Sequence, residues 1–216
     1  MAGCDATYCK QMLRFQIREK RVNMSTTQPI RSYEELQQLK NYYLDIEPNL
    51  RNYTLISLGL NTALRISDLL NLQWKDVYSF EKNHFHYHIM IIEQKTGKEN
   101  CIALNHSAQN ALEKYRTSVA DIYPTLYLFQ GKGKENVPLS RSQAFRIIKH
   151  AAEELQMEQH ISCHSLRKTF GYHAWKSGIP PAVLMKIYNH SSFEITKRYL
   201  GIEQDDKDSV FLKLNL

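Results

Sequence analysis

The sequence predicts a mainly α-helical fold with a small antiparallel β-sheet. Apolar residues recur at helical spacing in several stretches, whereas between Val77 and Leu104 they alternate with a period of two. The chain has 216 residues, of which 43% are hydrophobic, so it can bury one good core. We therefore expect one globular unit, preceded by a flexible arm over residues 1–30, where charged and small polar residues follow no sustained period.

The first helix of the folded unit is predicted to begin at Ser32. Ser32 and Glu35 stand at capping-box spacing in the segment SYEE. Leu36, Leu39 and Tyr43 follow at helical intervals, which indicates one apolar face turned towards a core.

A second apolar stretch, Tyr53 to Leu72, predicts helices that are buried on most sides. Arg65 and Asp68 stand three residues apart inside it. Because charged residues are rarely buried unless they are paired, the Asp68 carboxylate is interpreted as orienting the Arg65 guanidinium. A surface pair at a helix end is an equally good alternative.

The alternating segment predicts an antiparallel sheet with a turn at Lys95-Thr96-Gly97-Lys98. Its alternating histidines, His84, His86 and His88, have no carboxylate or cysteine at matching spacing, so we expect a solvent-facing edge and no metal site. Lys95 and Lys98 flank the turn glycine, and a solvated hairpin tip is the alternative to a functional role for both.

The middle of the chain predicts a helix from Ser107 to about Val119, a short extended piece over residues 126–129, and a helix that Ser140 caps and that runs to about Leu155. Cations near or along this last helix are candidate contacts to a DNA backbone, although a solvated helix face is at least as good an interpretation. They are Arg141, Arg146 and Lys149.

The stretch from Cys163 to Gly201 concentrates the residues that suggest chemistry. His164 and Arg167 share one face of a predicted helix that Gly178 and two prolines end, and a second helix runs to about Tyr188.

A third helix follows in this stretch. Ser191 and Glu194 stand at capping-box spacing, which places His190 at the start of the helix and Tyr199 about two turns further on.

Composition limits the class of protein. The net charge of +6 and the pI near 9.0 suit a polyanionic partner without establishing one. No apolar run approaches the roughly 20 residues that span a bilayer, and no secretory signal is evident, so we expect a cytoplasmic protein. Four widely spread cysteines predict reduced thiols, and Cys4 and Cys9 lack a second ligand pair for zinc.

The candidate residues together suit a phosphoryl transition state. Arg65 and Arg167 are the natural clamp for its equatorial oxygens, because guanidinium groups match that geometry. Tyr199 is interpreted as the nucleophile and His164 as its general base, while Lys95 would protonate the leaving 5′ oxygen. Since no carboxylate cluster with two-metal character accompanies them, we expect no metal and no other cofactor.

Four segments resemble the motif boxes of the tyrosine recombinase (phage integrase) family, in the family's order and over roughly residues 30–202. They read ALRISDLLNLQWKDV, QKTGK, HSLRKTFGYHAWKSG and NHSSFEITKRYLGI. The resemblance assigns roles by position. Arg65 and Arg167 match the two family arginines, Lys95 matches the hairpin lysine, and His164 matches the histidine of the HxxR box. His190 matches the His-or-Trp position, Tyr199 the nucleophile, and Asp68 the acidic residue after the first arginine.

This resemblance implies a tyrosine recombinase catalytic-domain fold over residues 31–202. Such a domain cleaves one strand of double-stranded DNA, forms a 3′-phosphotyrosine and passes it to a new 5′-hydroxyl without ATP. The family implies a homo-tetramer on DNA, in which each subunit donates its C-terminal segment, here residues 203–216, to a neighbour. The alternative is that Val210, Phe211 and Leu212 pack on their own domain.

The sequence departs from the family pattern in three respects. Only some 30 residues precede the predicted catalytic region, where family members carry a core-binding domain of about a hundred, and Ala63 and Asn189 replace frequent glycines. Two other functions stay open: a type IB topoisomerase-like nicking-closing enzyme, and an inactive DNA-binding remnant of a mobile element. Against the second, every catalytic position holds a competent residue.

Overall fold

The computed structural model describes residues 27–131, 136–201 and 211–214. Helices dominate these ranges, and short antiparallel strands lie between the fourth and fifth of them, which confirms the predicted class. In chain order the elements are α1 (Tyr33–Asp45), α2 (Leu50–Asn61), α3 (Ile66–Leu70), α4 (Trp74–Val77), β1 (Tyr78–Ser79), β2 (His84–Phe85), β3 (His88–Ile92), β4 (Glu99–Ala103), α5 (His106–Thr117), α6 (Arg141–Glu154), α7 (Cys163–Lys176), α8 (Pro181–Tyr188) and α9 (Phe193–Leu200).

Side-chain caps set where several helices begin. The Ser32 hydroxyl accepts the N–H of Glu35, which confirms the predicted start of α1, and Ser140 forms a full capping box with Gln143 at α6. The last helix was predicted one residue too early. Its N-cap is Ser192, whose extended backbone allows its hydroxyl to accept the N–H of Ile195.

The antiparallel segment forms two sheets rather than one. β1 pairs with β2, and β3 pairs with β4 in a register that joins His88 to Ala103 and Ile92 to Glu99. Between β2 and β3 the extended chain changes its hydrogen-bonding partner. The His86 N–H donates to the Val77 carbonyl, whereas the Tyr87 carbonyl accepts the N–H of Leu104. In the part of the chain that the structure describes, no group of three or more His, Cys, Asp or Glu residues is placed to hold a metal ion.

Helix α2 is the centre of the core. Its leucines Leu55 and Leu58 are fully buried against α5 and the β3–β4 hairpin, and Ile56 packs in a second cluster with α1, α6 and α7. A third, smaller cluster joins the last two helices to the rest through Leu184, Tyr188 and Leu200.

Close packing of this third cluster requires a glycine on α7. A Cβ on Gly171 would collide with the Tyr188 hydroxyl and with Leu200. The two helices that carry the C-terminal candidate residues therefore lie directly against α7.

Residues 27–31, which we call the N-terminal strap, lie across α7 and reach α9. Ile30 is fully buried, its N–H donates to Thr169 Oγ1 at 2.9 Å, and its carbonyl lies 2.9 Å from His173 Nε2. Arg31 Nη2 donates to the carbonyl of Gly201 at 3.0 Å. The predicted arm of residues 1–30 is thus wrong for residues 27–30, which belong to the folded unit, and residues 1–26 lie outside the described ranges.

None of the helices in the described ranges combines the length and the apolarity that a membrane crossing requires.

Candidate active site

Two arginines that are far apart in sequence converge on Tyr188, the last residue of α8. Arg65 Nη2 and Arg167 Nη2 both lie 3.5 Å from the Tyr188 carbonyl oxygen. The Tyr188 ring is fully buried beneath the Arg167 guanidinium, 4.7 Å from its central carbon, and the Tyr188 hydroxyl donates to the Arg167 carbonyl at 2.8 Å. The end of α8 thereby fixes both cations.

Arg167 is the more deeply buried of the two, with 4% of its surface exposed. Its Nη1 donates to the carbonyl of Ala63, whose φ of 53° turns that carbonyl towards the site. Burial lowers the pKa of the guanidinium, although this group stays protonated in proteins. The site therefore contains a fixed, poorly solvated positive charge.

Arg65 lies at the N-cap of α3, and its partner is Glu93 rather than Asp68. Arg65 Nη1 lies 2.6 Å from Glu93 Oε2, and the Glu93 side chain is 1% exposed. Asp68 accepts the N–H of Gln94 through Oδ1 at 3.0 Å, and its buried Oδ2 has no partner among the described residues. The interpretation that Asp68 orients Arg65 was wrong, because Arg65 is extended and precedes the helix, so the two side chains do not share a helical face.

Glu93 is the functional candidate that the sequence analysis missed. The signal that could have found it is strand alternation: Ile89 is buried, Ile91 is half-buried, and the same inward face continues to Glu93. A buried acidic residue at the inward end of an apolar strand needs a cationic partner, and the half-buried Arg65 supplies it.

Tyr199 lies half-buried beside this pair of arginines. Its ring centroid is 5.1 Å from that of Tyr188 and 5.1 Å from that of His190, and Lys168 Nζ lies 5.5 Å from it. Burial raises the pKa of the phenol, and the charges of Arg167 and Arg65 only partly oppose this. Tyr199 is therefore a neutral phenol in the free protein.

Both histidines of the set are held in their neutral form. His190 stacks on Tyr188 with centroids 5.3 Å apart, and its Nδ1 lies 3.0 Å from Thr196 Oγ1, which fixes the ring. His164 reaches the surface at the start of α7. Desolvation and then nearby cations lower the pKa of both rings. For His164 these cations are, in order of effect, Lys168, Arg167, Arg65 and Lys95.

Lys95 and Lys98 lie exposed in the turn between β3 and β4. Lys95 is close enough for its charge to act on His164, but no hydrogen bond or ion pair within the described residues joins it to the arginines or to Tyr199. The structure thus brings Arg65, Arg167, His190 and Tyr199 into contact around Tyr188, with His164 and Lys95 at the margin.

The basic residues of α6 lie outside this cluster. Arg141 and Arg146 are exposed, and Arg146 lines a surface cleft of about 390 Å³ with Arg51. Lys149 forms an ion pair with Glu153 at 3.3 Å on its own helix, which is the ordinary arrangement of a solvated helix face.

Known proteins resemble this chain in sequence. The model of the phage integrase family matches residues 30–205. The probable integrase/recombinase YoeC of Bacillus subtilis is 41% identical over 182 residues, which are 84% of this chain and 93% of YoeC. A tyrosine recombinase of Pseudothermotoga lettingae is 28% identical, over 83% of this chain but only 58% of its own length. The chain spans about half the length of several other curated recombinases that it matches.

Solved structures share the fold. The XerA recombinase superposes with a TM-score of 0.68 at 20% identity, covering 87% of this chain and 66% of XerA. The XerH recombinase in its post-cleavage complex with palindromic difH substrate superposes with a TM-score of 0.67 at 17% identity. The match covers 86% of this chain and 53% of XerH. The catalytic domain of bacteriophage HP1 integrase superposes with a TM-score of 0.57 at 19% identity. The match covers 87% of this chain and 95% of that domain. The likenesses confirm the predicted catalytic-domain fold.

Proposed function

We propose a function for this chain from its membership of the phage integrase family of tyrosine recombinases, to which it belongs. It is a site-specific recombinase that cleaves and rejoins DNA strands through a 3′-phosphotyrosine at Tyr199. One observation carries this proposal: two guanidinium groups lie at the carbonyl where Tyr188 ends its helix, and the Tyr199 ring packs against the Tyr188 ring. A phosphodiester placed there would meet a nucleophile and a double cationic clamp at once.

The two arginines would stabilise the charge that develops on the phosphate oxygens. Arg167 is held by the carbonyls of Ala63 and Tyr188, and Arg65 by Glu93, so neither side chain has to reorganise when the phosphate arrives. Because cationic side chains can neutralise the phosphate, we expect the reaction to proceed without a divalent metal.

The tyrosine needs help to lose its proton. A phenol with a pKa near 10 costs about 4 kcal/mol to ionise at pH 7, and burial of Tyr199 adds to this. His164, whose pKa is lowered, is in the neutral form that a general base requires, and Lys95 in the adjacent turn would protonate the leaving 5′ oxygen. His190 would fix the Tyr199 ring by its edge contact.

The partner would be double-stranded DNA, since the XerH structure holds its palindromic difH substrate, and the structure of the Tn1549 transposon integrase, which resembles this chain with a TM-score of 0.60 at 19% identity, is a complex with circular intermediate DNA. Arg141, Arg146 and Lys98, which are exposed, would contact the DNA backbone, whereas Lys149 already has a partner. An enzyme of this kind would act in the cytoplasm at the nucleoid.

The C-terminal tail supports assembly as a homo-tetramer on DNA. Phe211 and Leu212 are 76% and 86% exposed, so these two residues do not pack on their own domain as the alternative required. An apolar segment exposed in this way suits exchange with a neighbouring protomer. Residues 202–210, which contain Val210, lie outside the described ranges.

Cleavage should depend on pH through His164. The pKa of this ring is lowered from 6.5 by desolvation and by neighbouring cations, so the base form is populated at neutral pH and is lost only as the pH falls below 6.5. We expect the single-turnover cleavage rate to be level near pH 7 and to fall about tenfold per pH unit on an acid limb whose midpoint is below 6.5.

The control for this pH profile is protein stability. The lowered histidine pKa values mean that the unfolded state binds more protons below pH 6.5, so the free energy of unfolding also falls there. Rates should therefore be measured only where thermal unfolding shows the protein folded. A rate that stays level well below pH 6.5 would exclude His164 as the base.

Covalent capture of DNA tests the proposed function. The full chain is incubated in EDTA with a pool of duplexes of randomised sequence, each of which has a nick near the potential cleavage point. After cleavage, the short strand end between the cleavage point and the nick is lost, so the adduct accumulates. We expect an adduct whose attached peptide, read by mass spectrometry, contains Tyr199. Binding without any adduct at high duplex concentration would instead indicate an inactive DNA-binding protein.

Strand exchange separates the two enzymatic alternatives. Captured sequences are placed on two duplexes, and recombinant product is measured together with the stoichiometry of the complex on DNA. Relaxation of supercoils without recombinant product and without a higher-order complex would favour a topoisomerase-like enzyme.

A further inference from the structure

We propose that Glu93 is a positioning residue for strand cleavage, which acts by holding the Arg65 guanidinium at the scissile phosphate. The same carboxylate joins Arg65 to two other parts of the site: the turn that carries Lys95 and the residue that precedes His190. This inference rests on the proposed function, because it assigns Glu93 a task within that reaction.

Glu93 is surrounded by donors from separate parts of the chain. Its side chain is 1% exposed. Its Oε2 accepts from Arg65 Nη1 at 2.6 Å, Thr96 Oγ1 at 2.8 Å and Asn189 Nδ2 at 3.1 Å, and its Oε1 accepts from Asn100 Nδ2 at 3.1 Å. Both oxygens thus accept hydrogen bonds, so the group orients the side chains that donate to it.

The carboxylate is kept ionised in spite of its burial. Desolvation alone would raise the pKa of Glu93, but the hydrogen bonds from Thr96 and Arg65 and the charge of Arg65 outweigh it, and the net pKa is lowered. A permanent buried anion that faces Arg65 removes the freedom of the guanidinium to swing away, which a solvated arginine would retain.

The hairpin turn is fixed by the same residue. The Glu93 N–H donates to the Lys98 carbonyl at 2.9 Å, the Glu93 carbonyl accepts the N–H of Gly97 at 2.8 Å, and the Thr96 hydroxyl bonds the carboxylate. Lys95 lies between these anchors, so the turn that presents it is tied to the position of Arg65.

Asn189 connects the C-terminal part of the site to Glu93. It caps α8 with φ 54° and ψ 40°, a left-handed conformation that glycine adopts freely and asparagine tolerates. Glycine would provide this backbone but not the amide that reaches Glu93 Oε2. The asparagine therefore adds a bond between the residue preceding His190 and the carboxylate that holds Arg65.

The test compares Glu93→Gln with Glu99→Gln, which makes the same change at an exposed position of the same hairpin. With the adduct-forming duplex obtained above, we expect Glu93→Gln to lower the single-turnover cleavage rate about 100-fold, because a small displacement of a catalytic group costs that much, while DNA affinity changes little. Glu99→Gln should match wild type. Asn189→Gly, which keeps the backbone, should lose a few-fold.

A double-mutant cycle distinguishes positioning from a general loss of structure. If Glu93 acts through Arg65, adding Glu93→Gln to Arg65→Lys should cost much less than it costs in wild type. Additive losses, or a Glu93→Gln rate equal to wild type in a folded protein, would overturn the proposal.

A spectroscopic readout keeps this inference independent of activity. In ¹⁵N-labelled protein, the Arg65 guanidinium should give resolved Nη–H signals, because its bond to Glu93 slows rotation of the guanidinium group. These signals are assigned by their absence in Arg65→Lys. Glu93→Gln should broaden them. Unchanged signals in Glu93→Gln would sink the inference. Failure of the wild type to form an adduct would instead refute the proposed function.

Discussion

Replacing Tyr199 with phenylalanine should abolish covalent capture of DNA and leave DNA binding almost unchanged. The substitution removes the Tyr199 oxygen, the atom of this side chain that can bond to phosphorus, and keeps the ring that packs on Tyr188 and His190. Stability should change little, since phenylalanine keeps the ring contacts of Tyr199. The measurement is adduct yield on the nicked duplex beside a binding titration on the same duplex.

The matched control for Tyr199 is Tyr172→Phe, which removes a tyrosine hydroxyl from α7. The Tyr172 ring is a cation–π partner of Arg31, and phenylalanine keeps that contact. Wild-type adduct yield is expected from this variant. A Tyr199→Phe protein that still forms adducts would show that another residue is the nucleophile.

Replacing Arg167 with alanine should reduce cleavage about 10³-fold, the size typical for loss of one preorganised donor to a transition state. Its effect should exceed that of other cations in the chain, because Arg167 is 4% exposed and is held by two carbonyls. DNA affinity should fall much less, since phosphate contacts elsewhere remain. Equal losses in affinity and cleavage would make Arg167 a phosphate anchor only.

Arg167→Ala also needs a stability control. The carbonyl of Ala63 loses a buried donor, which costs about 1–3 kcal/mol in the free energy of unfolding. Arg167→Lys retains a charge and part of the packing but not the bidentate geometry. If thermal unfolding shows the lysine variant folded and it still loses most of its cleavage rate, the defect lies in transition-state binding.

Local patterns were sufficient for the starts of α1 and α6. Capping at Ser32 and Ser140, for example, depends on residues three apart, which spacing displays directly. The partner of Arg65 could not be obtained in this way. Asp68 is close in sequence, but the extended backbone at Arg65 separates the two side chains, and folding brings Glu93 across from 28 residues further along the chain.

Turn geometry also limited what spacing could predict. Ala63 and Asn189 were noted only as departures from glycine, yet both adopt positive φ and both bond to the arginine network, Ala63 through its carbonyl and Asn189 through its amide. Such roles arise from where a side chain or carbonyl points after folding, which residue types alone do not encode.

The N-terminal strap determines where this enzyme can be truncated or joined to a fusion partner. Lys168 Nζ donates to the Thr27 carbonyl at 2.5 Å and its ammonium lies over the Tyr199 ring, while Arg31 holds the carbonyl that ends the Tyr199 helix. A truncation at the first helix would therefore remove contacts that support Tyr199 together with residues that look like a dispensable leader. Fusion partners and labels should be attached ahead of Thr27, so that the bonds of the strap to Lys168 and to Gly201 are kept.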